Sequence, residues 1–264
     1  MPRRRLDVEL VRRGLASSRA EAQAAVAAGR VTVAGNPVTK AASLVADDAP
    51  VQVIGPGPRY VSRGGEKLRS ALDRFDVDPR DRDCLDAGAS TGGFTDCLLQ
   101  AGAARVVAVD VGYGQLAWEV RNDPRVTVME RTNARNLEPA HLPFMPTLVV
   151  ADLSFISLRA ALPPLVTVAD PGAEFVVLVK PQFEAGQADV GSRGVVRDPI
   201  VWRRVLTEVI DAFRAETVGV LGVVASPLRG PAGNVEFLLH GHRGVDDASI
   251  DLDAAIAEGE GLPG

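Results

Sequence analysis

A glycine-rich turn between an apolar segment and a helix start constrains the fold of this chain more than any other feature. Residues 85–95, LDAGASTGGFT, run from apolar residues through Gly88 into Gly92 and Gly93. A second apolar segment follows and ends in Asp110. Glycines let a backbone approach a ligand without a clash at Cβ, and a carboxylate at the end of the next strand can accept hydrogen bonds from ribose hydroxyls. The spacing therefore predicts a nucleoside cofactor in a doubly wound sheet.

The same spacing distinguishes between classes of nucleotide site. The three glycines do not follow the G-x-G-x-x-G fingerprint of dinucleotide sites, and no G-K-[ST] for a triphosphate occurs. The pattern D-x-G-x-x-x-G-G-F resembles instead the S-adenosylmethionine (SAM) site of class I methyltransferases. That resemblance implies cofactor contacts from Asp86, Gly88, Ala89, Ser90, Thr91, Gly92, Gly93, Phe94 and Asp110, with Thr132 and Asn133 near the adenine.

Apolar segments alternate with helical segments through the rest of the chain. We predict strands at 84–86, 106–110, 126–130, 148–152, 175–180, 218–224 and 235–239, and helices at 64–75, from 94, from 115, from 158 and at 199–215. Continuous apolar strands separated by helices are typical of a parallel sheet that helices cover on both faces. We expect an α/β fold of the class I, Rossmann-like type, with a mostly parallel seven-stranded sheet.

Composition excludes several classes of protein. Hydrophobic residues make up 46% and charged residues 24% of the 264 residues, as in ordinary globular proteins. The longest apolar run in the sheet region is about five residues, at 175–179, whereas a membrane-spanning helix needs roughly 20. No apolar segment of a secretory signal follows the basic start. Cys84 and Cys97 are expected to be buried small residues, and no cluster of Cys and His predicts a metal site. We expect a cytoplasmic protein without a membrane span.

Charge is distributed unevenly along the chain. Residues 1–69 carry 12 basic and 6 acidic residues, whereas the remainder carries 17 basic and 28 acidic residues. A basic head on an acidic body favours a polyanionic partner for the head, and nucleic acid is the first candidate. A helix-rich basic surface that faces only solvent is the alternative.

The head has the elements of a small RNA-binding module. We predict helices at 6–15 and 19–28, the second with a capping box of Ser18 and Glu21, and then a hairpin that turns at Gly35. Two short helices that lead into a hairpin resemble the alpha-L RNA-binding domain of the S-four type, and the matching segments are 10–15, 18–22 and 28–33. The resemblance implies phosphate contacts from Arg4, Arg12, Arg13, Arg19 and Arg30. A protein-binding helical module is the alternative.

Prolines and glycines mark the end of the head. They cluster between residues 50 and 58, where regular structure is expected to stop. We predict an alpha-L domain at 1–57, an interdomain linker at 58–63 and a methyltransferase domain at 64–264.

Charged residues follow apolar strands at the edge where a doubly wound sheet binds its ligand. Asp152 and Lys180 each end a strand, and Glu236 interrupts the last one. A lysine after five apolar residues is costly unless it has a carboxylate partner or a function. A structural salt bridge between Asp152 and Lys180 is one alternative, and an outward position of Glu236 on a half-exposed strand is another.

Together with Lys67, these residues resemble a known catalytic set. Lys67, Asp152, Lys180 and Glu236 match the Lys-Asp-Lys-Glu tetrad of FtsJ-type RNA 2′-O-methyltransferases. With the alpha-L head, the chain resembles the TlyA family of ribosomal RNA 2′-O-methyltransferases, once called haemolysins, over about residues 3–240. Some members of that family carry a tryptophan where this chain has Tyr60 in the predicted linker. The most specific matching segments are 61–68, 85–95, 110–116, 130–135, 152–158, 179–184 and 226–236.

The resemblance implies a complete activity. SAM would donate a methyl group to the ribose 2′-hydroxyl of a cytidine in small- and large-subunit ribosomal RNA, and Lys180 would take the hydroxyl proton. The expected partner is ribosomal RNA within ribosomal subunits, and the protein is expected to be a monomer. We also expect the modification to influence sensitivity to ribosome-binding peptide antibiotics.

Three other functions compete with this one. A non-catalytic RNA-binding assembly factor would need the head but not the tetrad. A small-molecule methyltransferase would not need the basic head. A pore-forming haemolysin would need a membrane segment that the composition does not supply.

Overall fold

The chain divides into two compact units, residues 1–58 and residues 59–264. The structure, a computed structural model, describes residues 3–16, 19–55, 57–191 and 194–263. The predicted capping residue Ser18 lies outside these residues. Among the described residues, no helix is long and apolar enough to cross a bilayer.

In the described part of the first unit, two helices pack with two small sheets. Its elements are β1 (Arg3–Arg5), α1 (Leu6–Arg12), α2 (Arg19–Ala27), β2 (Val31–Val33), β3 (Asn36–Pro37), β4 (Leu44–Ala46) and β5 (Val51–Val53). β1 pairs with β4, and β2 lies between β3 and β5. Leu6, Leu10, Val26 and Val31 are fully buried between the helices and β2. The predicted hairpin is present, because β2 pairs with β3 on either side of a turn at Gly35.

A seven-stranded sheet forms the centre of the second unit. Its strands are β6 (Asp83–Ala87), β7 (Arg105–Val109), β8 (Val126–Met129), β9 (Leu148–Ala151), β10 (Glu174–Val179), β11 (Val218–Ala225) and β12 (Phe237–Arg243). Their order across the sheet is β11-β12-β10-β9-β6-β7-β8. Strands β8, β7, β6, β9 and β10 are parallel, and β12 runs antiparallel between β10 and β11. The predicted, mostly parallel class I fold is confirmed.

Helices cover both faces of this sheet. They are α3 (Arg63–Phe75), α4 (Gly93–Gln100), α5 (Trp118–Arg121), α6 (Leu158–Val168), α7 (Pro181–Glu184), α8 (Pro199–Ala215) and α9 (Leu252–Glu260), with short 3-10 helices at Ala134–Asn136, Pro139–His141 and Gln187–Asp189. Alternate strand residues point to opposite faces. Val150 packs with α3 and α4, whereas Val149 packs with α6 and α8. This double burial explains the apolar strands in the sequence.

Several elements differ from their predictions. Helix α1 ends at Arg12, three residues before its predicted end, and strands β1, β4 and β5 of the head were not predicted. The helix predicted from residue 115 begins only at Trp118, because the Ala117 amide donates to the carbonyl of Thr91 and holds the preceding segment on the glycine turn. Strand β12 continues four residues past the predicted end, because it pairs with strands on both sides as far as residue 242 or 243. Helix α9 was not predicted. Its Asp251 cap and the buried Ile256 belong to a segment with little apolar periodicity.

The residues predicted as an interdomain linker pack into the second unit. Tyr60 is 3% exposed, and its ring lies against Gly65. The Val61 amide donates to Asp96, and the Ser62 hydroxyl caps α3. These contacts fix the start of α3, the helix that carries Lys67.

Candidate active site

The turn after β6 requires glycine at its first position. Gly88 has φ +89°, and a Cβ there would lie 2.6 Å from the carbonyl oxygen of Asp152. The Gly88 amide donates to the carbonyl of Val109 at 2.8 Å. The turn therefore contacts the ends of both β7 and β9, and no larger residue fits without a shift of backbone.

A second glycine begins α4. Gly92 has φ +95° at the N-cap, and a Cβ there would lie 2.9 Å from the Leu116 side chain. The packing brings the segment after β7 over the turn. Gly93 lies so close to the Ser62 hydroxyl that a side chain would collide with it, and Phe94 is buried in the core with Leu68 and Leu98. These two predicted cofactor residues therefore support the turn through contacts with the interior of the second unit.

Asp86 is a fully buried carboxyl group at the end of β6. It accepts a hydrogen bond from Thr95 at 2.6 Å through Oδ2. Among the described residues, its Oδ1 atom has no hydrogen-bond partner. Burial raises the pKa of Asp86 to about 7, an effect that the hydrogen bond from Thr95 opposes. A buried acceptor without a partner is costly, so this group fits a cationic ligand that would supply the missing donor.

Asp110 organises the pocket at the end of β7. Its two carboxylate oxygens accept from the amides of Ser90 (2.8 Å) and Gly112 (2.6 Å). Each oxygen keeps a further lone pair, which suits ribose hydroxyls. The adjoining pocket is lined by Ala89, Ser90, Ala108, Asp110, Gly112, Gln115, Leu116, Val128 and Glu130. Apolar walls beside two carboxylates fit the nucleoside part of SAM, so the residues present suit the expected cofactor.

The pocket differs in part from the predicted set. Its lining includes Ala89, Ser90 and Asp110 but neither Thr132 nor Asn133. The Thr132 hydroxyl donates to the carbonyl of Glu130, and the Asn133 side chain accepts from the Arg135 amide, so both engage their own loop. Sequence reasoning missed Gln115 and Leu116 on one wall. It also missed Glu130, although a carboxylate directly after β8 satisfies the same strand-end rule that selected Asp110.

Two of the four tetrad residues form a buried ion pair. Lys67 Nζ on α3 lies 2.5 Å from Glu236 Oε2, and the side chains are 6% and 1% exposed. The alternative in which Glu236 points outward from a half-exposed strand is therefore wrong. A Cβ at Gly230 would lie 2.5 Å from Glu236, so the loop before β12 encloses the carboxylate closely.

The other two tetrad residues form a second, more accessible pair. Lys180 Nζ lies 2.6 Å from Asp152 Oδ1, with side-chain exposures of 11% and 23%. The ammonium donates to the Ser154 hydroxyl at 2.8 Å and lies 5.8 Å from the centroid of the Phe183 ring. Both the catalytic interpretation and the purely structural alternative predict this salt bridge, so it does not decide between them.

Sheet register brings the two pairs to one edge. Val179 pairs with Phe237 across β10 and β12, so Lys180 and Glu236 are the next positions beyond that pair. β9 ends beside β10 in parallel register, with Ala151 opposite Val177, and Asp152 follows it. Three of the four charges therefore lie at the ends of adjacent strands, and Lys67 joins them through its contact with Glu236.

Two further residues at this edge were not predicted. Phe155 is 88% exposed with φ +65°, and its ring lies 5.3 Å from that of Phe183. Glu184 is 6% exposed and accepts from the Ser157 hydroxyl and the Leu158 amide, so it orders the start of α6. The sequence marks these two residues only by their position: Phe155 lies three residues after Asp152, and Glu184 lies four residues after Lys180.

Most of the arginines predicted to bind RNA carry internal ion pairs. Arg4 pairs with Asp47, Arg12 pairs with Glu9, and Arg19 pairs with Asp7. Arg13 pairs with Glu9 and also donates to the carbonyls of Asp47 and Ala49; its side chain is 21% exposed. Arg13 therefore has few donors left for a phosphate.

Comparisons with known proteins match both units. A family model for FtsJ-like methyltransferases matches residues 60–243, and an S4 domain model matches residues 4–49. The chain is 51% identical to the 16S/23S rRNA (cytidine-2′-O)-methyltransferase TlyA of Mycobacterium tuberculosis, over 97% of this chain and 98% of that one. It is 39% identical to Hemolysin A of Brachyspira hyodysenteriae, over 89% of this chain and 98% of that one.

A solved structure agrees with these matches. A candidate hemolysin from Streptococcus thermophilus has a TM-score of 0.77 and 39% sequence identity, and the match covers 98% of this chain and 96% of that one. The glycine turn, the strand-end carboxylates and the S4 domain thus occur together in a chain that matches known proteins over nearly their full length. The chain belongs to the TlyA family, whose body is an FtsJ-like, SAM-dependent methyltransferase domain and whose head is an S4 domain.

Proposed function

We propose that this protein transfers a methyl group from SAM to the ribose 2′-hydroxyl of cytidine in ribosomal RNA of both subunits. One observation carries the proposal: the backbone of Asp152, the partner of Lys180, lies against Gly88 of the cofactor turn. The methyl donor would therefore lie next to the candidate base. The substrate is taken from the M. tuberculosis relative, which is named for this reaction.

The cofactor would lie across the ends of β6 and β7. SAM supplies an electrophilic methyl group on a sulfonium centre when it is bound. Asp110 and the lining of its pocket would hold the ribose and adenine, and Asp86 would face the cationic methionine part. The glycine turn lets the backbone approach this part closely.

Lys180 is the proposed base. A free hydroxyl is a weak nucleophile, so its proton must be removed as the oxygen attacks the methyl carbon and the carbon–sulfur bond breaks. Lys180 Nζ in its neutral form would accept that proton. Asp152, 2.6 Å away, and the Ser154 hydroxyl would then hold the resulting ammonium in place. Much of the rate would come from this positioning of the two reactants.

Lys67 and Glu236 have a different proposed role. Their pair is nearly closed to solvent, so it suits orientation of the ribose and of the neighbouring Lys180 better than proton exchange with water. The exposed ring of Phe155 offers a stacking surface for the base of the target nucleotide at the same edge. The tetrad thereby divides into an accessible reacting pair and a buried supporting pair.

The head would supply affinity for folded RNA. Its arginines suit phosphate contacts, and among the described head residues no aromatic side chain offers a stacking platform for single strands. We propose that the protein acts as a monomer in the cytoplasm on ribosomal subunits, and that its modification alters sensitivity to ribosome-binding peptide antibiotics.

The test measures tritium transfer from labelled SAM to purified small and large ribosomal subunits, followed by mapping of 2′-O-methylated positions. We expect transfer to cytidine by the wild type and none by Lys180→Ala or Lys180→Arg, since arginine cannot be deprotonated near neutral pH. Asp211→Asn, an exposed acid-to-amide change on α8, is the control and should stay active.

Three outcomes would overturn the proposal or the role it gives Lys180. Near-normal turnover by folded Lys180→Ala would make that lysine a structural ion-pair residue. The absence of transfer to either subunit by the wild type, with SAM binding intact, would exclude ribosomal RNA as the substrate. Membrane lysis by the purified protein, in place of methylation, would favour the hemolysin name that one relative carries.

A further inference from the structure

Two buried carboxylates lie beneath the arginines of the head. Asp7 and Glu9 are on α1, and both side chains are 0% exposed. Charged residues are almost never fully buried unless they are paired. Here the groups that cover them are themselves exposed arginines, so the carboxylates lie just under the surface and not in the apolar core.

Asp7 holds two arginines from different elements. Arg5 on β1 donates to both of its oxygens, through Nε at 3.0 Å and Nη2 at 2.9 Å. Arg19 on α2 donates to Oδ2 at 3.0 Å, and Gln23 donates to the same oxygen at 2.9 Å. A single carboxylate therefore fixes the positions of two guanidinium groups that are far apart in sequence.

Glu9 holds two more arginines. Arg12 donates to both of its oxygens, at 2.7 Å and 2.5 Å, and Arg13 donates to Oε1 at 2.6 Å. The arginine contacts lower the pKa of Glu9 to about 2 and lower that of Asp7 as well, so both carboxylates are ionised at neutral pH.

The outer arginines keep donors for another anion. A guanidinium has five N–H donors, and Arg5 and Arg12 each use two of them on their carboxylate. The side chains of Arg5, Arg12 and Arg19 remain 46%, 48% and 59% exposed. Each guanidinium is thus held by a carboxylate on one side and exposed to solvent on the other. Its remaining N–H donors can bind two oxygens of a phosphate.

We infer that Asp7 and Glu9 are positioning residues for RNA binding, which hold the arginines in an arrangement that phosphates of folded RNA can meet without reordering. A long side chain that must be immobilised on binding costs affinity, and prior anchoring removes that cost. The inference rests on the RNA-binding role proposed for the head.

The anchoring role and simple charge counting predict different outcomes. Neutralising an acid in a basic head should strengthen RNA binding if net charge alone decides affinity. Neutralising Asp7 should weaken it if the carboxylate anchors Arg5 and Arg19. The two explanations therefore predict opposite signs for the same substitution.

The test compares full-length variants for binding to purified small and large ribosomal subunits by filter binding at several salt concentrations. Asp7→Asn and Glu9→Gln remove the anchoring charge, and Asp48→Asn makes the same charge change at an acid outside the network. We expect Asp7→Asn and Glu9→Gln to bind about three- to tenfold more weakly than Asp48→Asn, the scale of one or two newly mobile arginines.

Stability is controlled separately. Val26→Ala removes buried apolar contacts of the head without touching the arginines, and thermal melting of all variants sets the assay temperature. Equal weakening by Val26→Ala at a temperature where the head is folded would attribute the effect to stability and overturn the inference. Binding by Asp7→Asn as tight as that of Asp48→Asn would also overturn it, whereas failure of the wild type to bind either subunit would overturn the proposed function of the head.

Discussion

Glu236→Gln should destabilise the second unit far more than its size suggests. The substitution keeps the shape of the side chain but removes the charge that faces Lys67 at 2.5 Å. Lys67 is 6% exposed at its side chain, so water cannot replace the lost carboxylate. Removing one partner of a buried ion pair costs about 3–5 kcal/mol, because the remaining charge stays buried without compensation.

The magnitude converts to a large thermal shift. For a domain of about 150–250 residues, a loss of about 1 kcal/mol lowers Tm by about 2–4 °C. The expected decrease for Glu236→Gln is therefore roughly 6–20 °C. Asp152→Asn is the matched comparison, and it should cost less, because Asp152 is 23% exposed and solvent can reach Lys180 through the same opening.

A double variant separates charge from packing. Lys67→Met combined with Glu236→Gln removes the orphaned ammonium, so part of the lost stability should return while methyl transfer stays absent. Circular dichroism melts and urea titrations are measured for the wild type, Lys67→Met, Glu236→Gln and the double variant. These four proteins form a double-mutant cycle. A Tm for Glu236→Gln within about 2 °C of the wild type, or a double variant less stable than Glu236→Gln, would refute the argument.

Further predictions concern the cofactor turn and the head. The pKa of Asp86 is raised to about 7, so between about pH 4 and pH 7 the folded protein keeps a proton that the unfolded chain has lost. The free energy of unfolding should therefore decrease by about 4 kcal/mol as the pH rises through that range. The plot of Tm against pH should be flatter for Asp86→Asn, which has no proton to lose there. Asp110→Ala should weaken SAM binding by about 1–3 kcal/mol in calorimetry, and unchanged affinity would remove Asp110 from the pocket. Gly88→Ala should reduce both SAM affinity and turnover, because its Cβ meets the Asp152 backbone. A fragment of residues 59–264 should fold, by circular dichroism, yet lose most subunit binding; full affinity would contradict the assigned role of the head.

Backbone features of the fold were predictable because they depend on local patterns. Apolar strands, the glycine turn and helix α8 follow from period and composition, and α8 has the predicted bounds. The failures occur where distant contacts decide. Residues 240–243 are polar or lack a side chain, yet they belong to β12 because His240 stacks on Phe75 and Arg243 pairs with Val218 on the neighbouring strand.

The four residues of the tetrad were selected from the sequence, but their pairing was not. A strand-end rule selects Asp152 and Lys180, since parallel strands end at one edge. Glu236 was selected because it interrupts an apolar segment, and it reaches the same edge because it precedes the antiparallel strand β12. Neither criterion gives information about α3, whose position depends on packing of its apolar face over the sheet. Only the folded chain shows that Lys67 meets Glu236 and leaves Asp152 to Lys180.

Charge counting has a similar limit in the head. The sequence assigns each arginine the same weight, because it carries no information about which acids lie beneath the surface. In the structure, Arg13 is committed to Glu9 and to backbone carbonyls, whereas Arg5 and Arg19 share Asp7 and stay about half exposed. Acids that lower the formal charge of the head therefore increase the order of its positive surface. RNA affinity should follow that order more closely than it follows the net charge.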